Sequence, residues 1–372
     1  MSIFWILNYI LVLLCAVVFS GIIIPKILLI SFRKKLFDVP NARKIHHSTV
    51  PRLGGIAFKP VIFFSVSLAL GIDIITGHQV QLREIFTGNL LPEILFLYCA
   101  VLTLYLVGIA DDLIGVKYSA KFVIQILCAI MLISGGVWIN NLGGILGLYE
   151  IPPYIGYPLT VLIVVFIINS INLIDGIDGL ASGLSSVAIF IYGTTFIVHH
   201  QYLHAMIAFA TWGVLIPFFY YNVFGNAEKE KKIFMGDTGS LTIGILLSYL
   251  AIKLITSGNI PDIETNKALV SAFAPLIIPC FDVIRVFIHR LKKKQNPFLP
   301  DKSHIHHKLL AIGMQQRPAM ISIVTLSAIF SVLNIICSKY VNINILLITD
   351  ILIWTILNIW LTRKIHKLNI DF

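Results

Sequence analysis

The stretch TVLIVVFIINSINLIDGIDGLASG, residues 160–183, passes from unbroken apolar sequence into two asparagines and two aspartates within ten residues. A bilayer tolerates amides and carboxylates at the end of such a run only where something uses or shields them. Asn169 and Asn172 stand at i and i+3, with Asp175 at i+6, so in a helix they share one face. A polar stripe ending an apolar helix points to a ligand. For Asp175 and Asp178 the bland alternative is turn chemistry, since both precede glycine.

The rest of the chain decides what kind of helix this is. Of 372 residues, 58% are apolar and only 12% charged, and the mean hydropathy is +0.90. A soluble domain of this length carries about twice that charge. Eleven apolar runs are long enough to span a membrane, at about 4–30, 55–72, 93–110, 121–138, 157–172, 181–198, 203–222, 239–256, 268–288, 319–337 and 342–361. The expectation is an all-α, polytopic membrane protein of about eleven transmembrane helices forming one integral membrane domain over residues 1–372. A small hairpin is expected near 143–155, in a Gly/Pro-rich connection. The five cysteines all lie in apolar runs and read as small core residues.

The net charge of +10 is a topology signal rather than a nucleic-acid signal. With eleven spans, one side collects Arg33, Lys34, Lys35, Arg43, Lys44, Arg52, Lys117, Lys121, Lys229, Lys231, Lys232, Arg290, Lys292 to Lys294, Lys302, Lys308, Arg317, Arg363, Lys364 and Lys367. The other keeps Arg83, Lys253, Lys267 and Lys339. Basic loops stay in the cytoplasm, which puts the N-terminus outside and the C-terminus inside.

Five polar motifs then fall on the cytoplasmic face: DVPNARKIHHSTVPRLGG (38–55), DDLIGVKYSAK (111–121), NSINLIDGIDG (169–179), FMGDTGS (234–240) and NPFLPDKSHIHHKLL (296–310). Three of them precede helices whose N-terminal ends, rich in free N–H groups, suit phosphate. Glycines 176, 179, 236 and 239 would let backbone approach a ligand closely. Asp111 and Asp112 are adjacent like charges with Lys117 and Lys121 at helical spacings behind them, which reads as a charge-compensated pocket. Asp237 sits where an N-cap or a metal ligand would. Mg²⁺ needs only one or two protein oxygens beside water and phosphate, and Asp237 with the side-chain oxygen of Asn172 would serve. His304, His306 and His307 suit phosphate or nucleotide contacts better than zinc. Asp282 reads as an ion pair with Arg285, and Pro279 as a kink. Asp73 and Glu93 read as solvated loop charges, and His204 carries no assigned role.

In this order the motifs resemble the polyprenyl-phosphate N-acetylhexosamine-1-phosphate transferase superfamily, from about residue 33 to 310. The first and last of them are similar to the bacterial WecA/TagO branch. His304-Ile305-His306-His307 departs from the three consecutive histidines usual in the branch that uses a MurNAc-pentapeptide. The resemblance implies a Mg²⁺-dependent enzyme, with Mn²⁺ as a substitute, that moves N-acetylhexosamine-1-phosphate, foremost GlcNAc-1-phosphate, from a UDP-N-acetylhexosamine to undecaprenyl phosphate. UMP would leave, in the first lipid-linked step of cell-envelope glycan synthesis such as that of teichoic acid or lipopolysaccharide. It implies metal binding by Asp237 and Asn172, catalytic work by Asp111, Asp112, Asp175 and Asp178, and substrate contacts from Lys121, Asn169, His304, His306, His307 and Arg52. It further implies the bacterial cytoplasmic membrane, a cytoplasmic-face active site, membrane lipid as surroundings, a homodimer, and no nucleic-acid partner. The rival of another class is an ion-coupled transporter, whose sites usually sit at the bilayer midplane between two related halves.

Overall fold

The computed structural model describes residues 3–36, 50–78, 82, 90–257, 265–294 and 303–368. Parts of two motifs, residues 38–49 and 296–302, lie outside them.

Helices account for almost all of the described chain. They are α1 (Ile3–Arg33), α2 (Phe58–Ile75), α3 (Leu90–Ile114), α4 (Tyr118–Ser134), α5 (Pro153–Ile174), α6 (Leu180–Val198), α7 (Tyr202–Phe219), α8 (Gly236–Ser257), α9 (Thr265–Phe273), α10 (Ile277–Lys292), α11 (Ile305–Ala311), α12 (Gln316–Cys337) and α13 (Ile343–Lys367). Among the described residues, ten helical segments are long and apolar enough to cross a membrane, α9 and α10 together making one of them. The eleventh apolar run is α4, shorter at 17 residues. The sequence runs and the helices correspond one for one, and the chain is an all-α polytopic membrane protein. The expected hairpin is there as well: β1 (Asn141–Ile145) pairs antiparallel with β2 (Leu148–Glu150). Asn344, at the start of α13, holds its turn by accepting from the Leu146 N–H and donating to the Gly144 carbonyl.

The ninth run is broken as foreseen, but not at Pro279. Its α-helix is interrupted by a 3₁₀ turn over Ala274–Leu276 containing Pro275, whose ring cannot continue the hydrogen-bond ladder.

At the centre stands α8, almost wholly buried and packed on α3, α5 and α6. Its hydroxyl residues survive there because they bond backward along the helix: Thr242 donates to the Thr238 carbonyl and Ser248 to that of Gly244. In hydrocarbon every polar group must find such a partner inside the protein. Close approach explains two glycines. A side chain on Gly108 of α3 or on Gly55 would run into the backbone of Thr238 and Gly239. The N-terminal turn of α8 is thereby clamped by backbone on two sides.

The opposite end of the bundle overturns three sequence expectations. Glu93 is not a solvated loop charge: it is 5% exposed and accepts from His204, Tyr249 and Lys253. His204 thus has a structural task. Asp73 is also buried, at 6% exposure. Each lies within the first or last turns of an apolar helix, where packing by neighbouring spans, invisible in the local sequence, removes it from water.

Candidate active site

Residues 51–55 lie beside residues 234–235 through three backbone bonds: Phe234 N–H to the Pro51 carbonyl, and the N–H groups of Gly54 and Gly55 to the Phe234 and Met235 carbonyls. This brings Arg52 against Gly236, which opens α8 with φ +70°. A Cβ at Gly236 would overlap the Arg52 carbonyl and the Asp112 carboxylate, so glycine is required both by backbone angle and by space. Asp112, at the end of α3, caps α8. Its Oδ1 accepts from the Asp237 N–H at 2.8 Å, and its Oδ2 from the Thr238 N–H at 2.9 Å and the Thr238 hydroxyl at 2.6 Å. A carboxylate is well placed on two orphan donors of a helix N-terminus. Both oxygens of Asp112 are engaged in holding the α8 turn that presents Asp237. Two N–H groups of the α8 N-terminus, expected to meet phosphate, are taken by this cap.

Four helices converge on that turn. The Lys121 ammonium, from the first turn of α4, bridges Asp111 Oδ2 at 3.0 Å and Asp237 Oδ2 at 2.6 Å. Asp111 Oδ1 accepts from the Val116 N–H. From the last turn of α5, Asn172 donates through Nδ2 to Asp237 Oδ1 at 3.1 Å and to Ser240 Oγ at 2.8 Å. Asn169, one turn earlier on the same face, donates to Gln125 Oε1 and to the Val165 carbonyl. It fastens α5 to α4 and does not reach the Lys121 cluster through any bond seen here.

Asp175 ends α5 and opens to solvent, yet protein surrounds it on the wider scale. Enclosure by the surrounding protein, though the residue itself stays exposed, pushes its carboxyl up to about 7. The charges of Asp237 and Asp178 add to the rise and Arg52 opposes it. Among the described residues it makes no hydrogen bond through its carboxylate. Asp178 differs: it pairs with Lys232 at 2.5 Å and so braces the loop against residues 225–235. Asn222 adds a second brace that sequence reasoning missed, accepting from the Gly179 N–H and donating to the Ile233 carbonyl. Its one signal was an amide at the end of the seventh apolar run.

The histidine segment meets this loop directly. His306 packs its ring onto Gly176, filling the space a side chain there would need. It stacks beside His304 and lies 4.2 Å, centroid to centroid, from His307. His306 is buried, neither ring nitrogen has a hydrogen-bond partner among the described residues, and burial with His307 and His304 nearby drives its pKa down to about 3. His304 is fixed by Nδ1 to Asp282 Oδ2 at 2.8 Å. Asp282 also accepts from the Ile305 N–H and from Arg285. The expected Asp282–Arg285 pair forms, and it does more than expected by anchoring the histidine segment to α10. The four glycines read as leaving room for a ligand are instead filled: 176 by His306, 179 by Val223 and Phe219, 236 by Arg52 and Asp112, 239 by Met235 and Phe58.

A magnesium ion suits what remains. Asp237 and the amide oxygen of Asn172, which accepts no hydrogen bond among the described residues, are hard oxygen donors on neighbouring side chains, and the Lys121 ammonium already marks Asp237 as a group that holds a cation. Among the described residues no group of three or more His, Cys, Asp or Glu side chains is arranged for a metal.

The sequence pattern of glycosyl transferase family 4 matches residues 94–255, the stretch from α3 through α8 that carries this cluster. The undecaprenyl-phosphate alpha-N-acetylglucosaminyl 1-phosphate transferase of Yersinia pestis is 31% identical over 304 residues, covering 81% of this chain and 76% of that protein. The chain belongs to glycosyl transferase family 4. A probable undecaprenyl-phosphate N-acetylglucosaminyl 1-phosphate transferase of Bacillus subtilis is also 31% identical, over 85% of this chain and 81% of its own length. The Salmonella typhi relative bearing the same name as the Yersinia protein is 30% identical over 80% and 75%. The family is thus the superfamily that the motifs resemble.

Proposed function

We propose that this protein transfers N-acetylhexosamine-1-phosphate, foremost GlcNAc-1-phosphate, from a UDP-sugar to undecaprenyl phosphate at the cytoplasmic face of a bacterial inner membrane, releasing UMP. The observation that carries the reading is the Lys121 ammonium held between Asp111 and Asp237, with the Asn172 amide on the far side of Asp237. Four helix ends bring mobile positive charge and oxygen donors to one point at the end of the bundle. Phosphoryl transfer asks for this kind of alignment and charge neutralisation more than for covalent chemistry. A transport path would instead place its carboxylates near mid-membrane.

The roles follow from which atoms are free. Asp237 and Asn172 would hold Mg²⁺, which when bound would neutralise pyrophosphate oxygens. Lys121 turns from its two carboxylates to the pyrophosphate of the nucleotide sugar and balances the charge that gathers on the departing UMP. Asp111, with both oxygens engaged, keeps Lys121 in reach, and the proton-accepting role falls to Asp175. That carboxyl has free oxygens and a pKa near neutrality, which is what a general base at physiological pH requires. It takes the last proton of the lipid phosphate. An oxygen of that phosphate then attacks the β-phosphorus of the UDP-sugar, and the bond from that phosphorus to the UMP oxygen breaks. Arg52 at the rim and the histidine segment over Gly176 close on the nucleotide.

The test is a panel of radiolabelled UDP-sugars with undecaprenyl phosphate and magnesium, read by lipid extraction. The expected product is undecaprenyl-pyrophosphoryl-N-acetylglucosamine with one UMP per lipid. Label entering no lipid with any sugar nucleotide, under conditions where the protein is folded, would overturn the reading.

A further inference from the structure

We propose that the groove between α10 and α13 docks an anionic phospholipid of the surrounding membrane, its phosphate seated on Lys308 and an acyl chain along the apolar wall. The groove has a volume of about 690 Å³ and is lined by α10, α11 and α13. One end is formed by Phe281, Ile284, Ile351 and Trp354, and the other, its mouth, by Lys292, Lys308 and Arg363. From Ile351 to Arg363 the α13 backbone rises about 18 Å, the reach of a good part of an acyl chain. One end is therefore wholly apolar and the other cationic, as an anionic lipid is wholly apolar at one end and phosphate at the other.

Lys308 makes the groove a site rather than a gap. It is 6% exposed, and its ammonium donates to Asn358 Oδ1 at 3.2 Å and Thr362 Oγ1 at 3.0 Å on α13. An ammonium has three N–H groups, so one remains. No carboxylate among the described residues lies within ion-pairing distance of it, and Asp282, the acidic group that acts on it across the gap, is already shared by Arg285 and His304. Burial and the neighbouring Arg285 lower its pKa to about 8, so it remains mainly charged at neutral pH. A buried cation with no counter-ion is costly, and a phosphodiester from the bilayer supplies one without leaving the membrane. Arg363 and Lys292, exposed at the mouth, add attraction of the kind that basic residues give toward anionic lipid.

The occupant is a resident lipid and not the acceptor substrate, because none of the helices carrying Asp111, Lys121, Asn172 or Asp237 lines the groove. Its effect still reaches the site. Lys308 lies on the short helix α11 with His306, whose ring rests on Gly176. A seated headgroup therefore steadies α11 against α13. The proposal does not rest on the assigned reaction, since its readout is binding.

The experiment uses the full chain in neutral detergent, with native mass spectrometry to count bound phosphatidylglycerol or phosphatidylcholine, and undecaprenyl phosphate as competitor. The wild type retains phosphatidylglycerol in preference to phosphatidylcholine, and phosphatidylglycerol raises its Tm. Lys308→Met weakens that binding about tenfold or more, Lys308→Arg keeps most of it, and Arg363→Gln, at the exposed mouth where folding is not at stake, weakens it about fivefold. Equal binding of the two phospholipids would sink the proposal, as would undiminished phosphatidylglycerol binding by both Lys308→Met and Arg363→Gln. One-for-one displacement by undecaprenyl phosphate would overturn it too, by giving the groove to the acceptor.

Discussion

Both ends of the bundle hold acidic side chains and a lysine among apolar helices, and they treat them oppositely. At one end Glu93 has Oε1 bonded to Tyr249 at 2.7 Å and His204 at 2.9 Å, and Oε2 bonded to Lys253 at 2.7 Å. Every partner is itself anchored on a helix, and the cluster is closed. At the other end one ammonium is shared by two carboxylates, and among the described residues the Asn172 amide oxygen has no partner and Asp175 has none for either oxygen. The Glu93 carboxylate, which serves the fold, is saturated by the protein. Groups left with spare bonding capacity at the same lipid boundary are kept for something that arrives.

Substitution at the two ends should separate these uses. Asp237→Asn is expected to lower kcat by about 10³-fold or more, because charge stabilisation at a metal-held phosphate is worth several kcal/mol, while Tm changes little since Lys121 keeps Asp111. Turnover near wild type in folded protein would remove Asp237 as the metal-holding group. Glu93→Gln should do the reverse. It leaves Lys253 and His204 without their buried anion, at a cost of about 3–5 kcal/mol of stability, yet the fraction that remains folded should keep its kcat. A variant as stable as wild type would mean that the closed cluster is not structural.

Two further changes sharpen the open end. Lys121→Ala is expected to cost about 10²-fold in kcat/KM, in line with losing one charged donor to a transition state, and nucleotide-sugar binding should fall far more than lipid binding. Asp175→Asn bears on pH. With the carboxyl held near 7, the wild-type rate climbs as pH rises through that value, because only the ionised form accepts a proton. The Asn variant should lose this step, so that it falls behind by about 10²-fold at pH 8 and by much less at pH 6. A rise that persists unchanged would belong to the second proton of the lipid phosphate, pKa about 6, and would clear Asp175.

The helical architecture was legible because membrane spans announce themselves by length and apolarity alone, and even the 17-residue α4 stood out in that way. The cluster was legible because Asp111, Lys121, Asn172 and Asp237 lie at the ends of those spans, so a correct count of crossings puts them at one end. What stayed hidden was the division of labour within it. Asp111 and Asp112 are identical and adjacent, and only the arrival of Gly236–Thr238 from 125 residues away tells the capping carboxylate from the one that grips Lys121. In the same way Asp178 reads like Asp175 until Lys232 is brought against it. Glu93 was misread for the mirror-image reason, since nothing in its neighbourhood reveals that His204, Tyr249 and Lys253 will close over it.

That division makes Asp112 the finest test of the comparison, since it is a fold-serving group embedded in the open end. Its three accepted bonds are all to the first turn of α8. Losing a side-chain cap costs about 0.5–2 kcal/mol, so Asp112→Ala should lower Tm modestly. It should also lower kcat more than it raises KM, because the α8 turn that aims Asp237 loosens without any substrate contact being removed. Asp112→Asn retains one acceptor oxygen for the Asp237 and Thr238 N–H groups and should recover most of both losses. A carboxylate acting directly on the reacting phosphates would behave otherwise. Its Asn variant would keep the Tm and stay as inactive as the Ala variant, and that outcome would return Asp112 to the catalytic set.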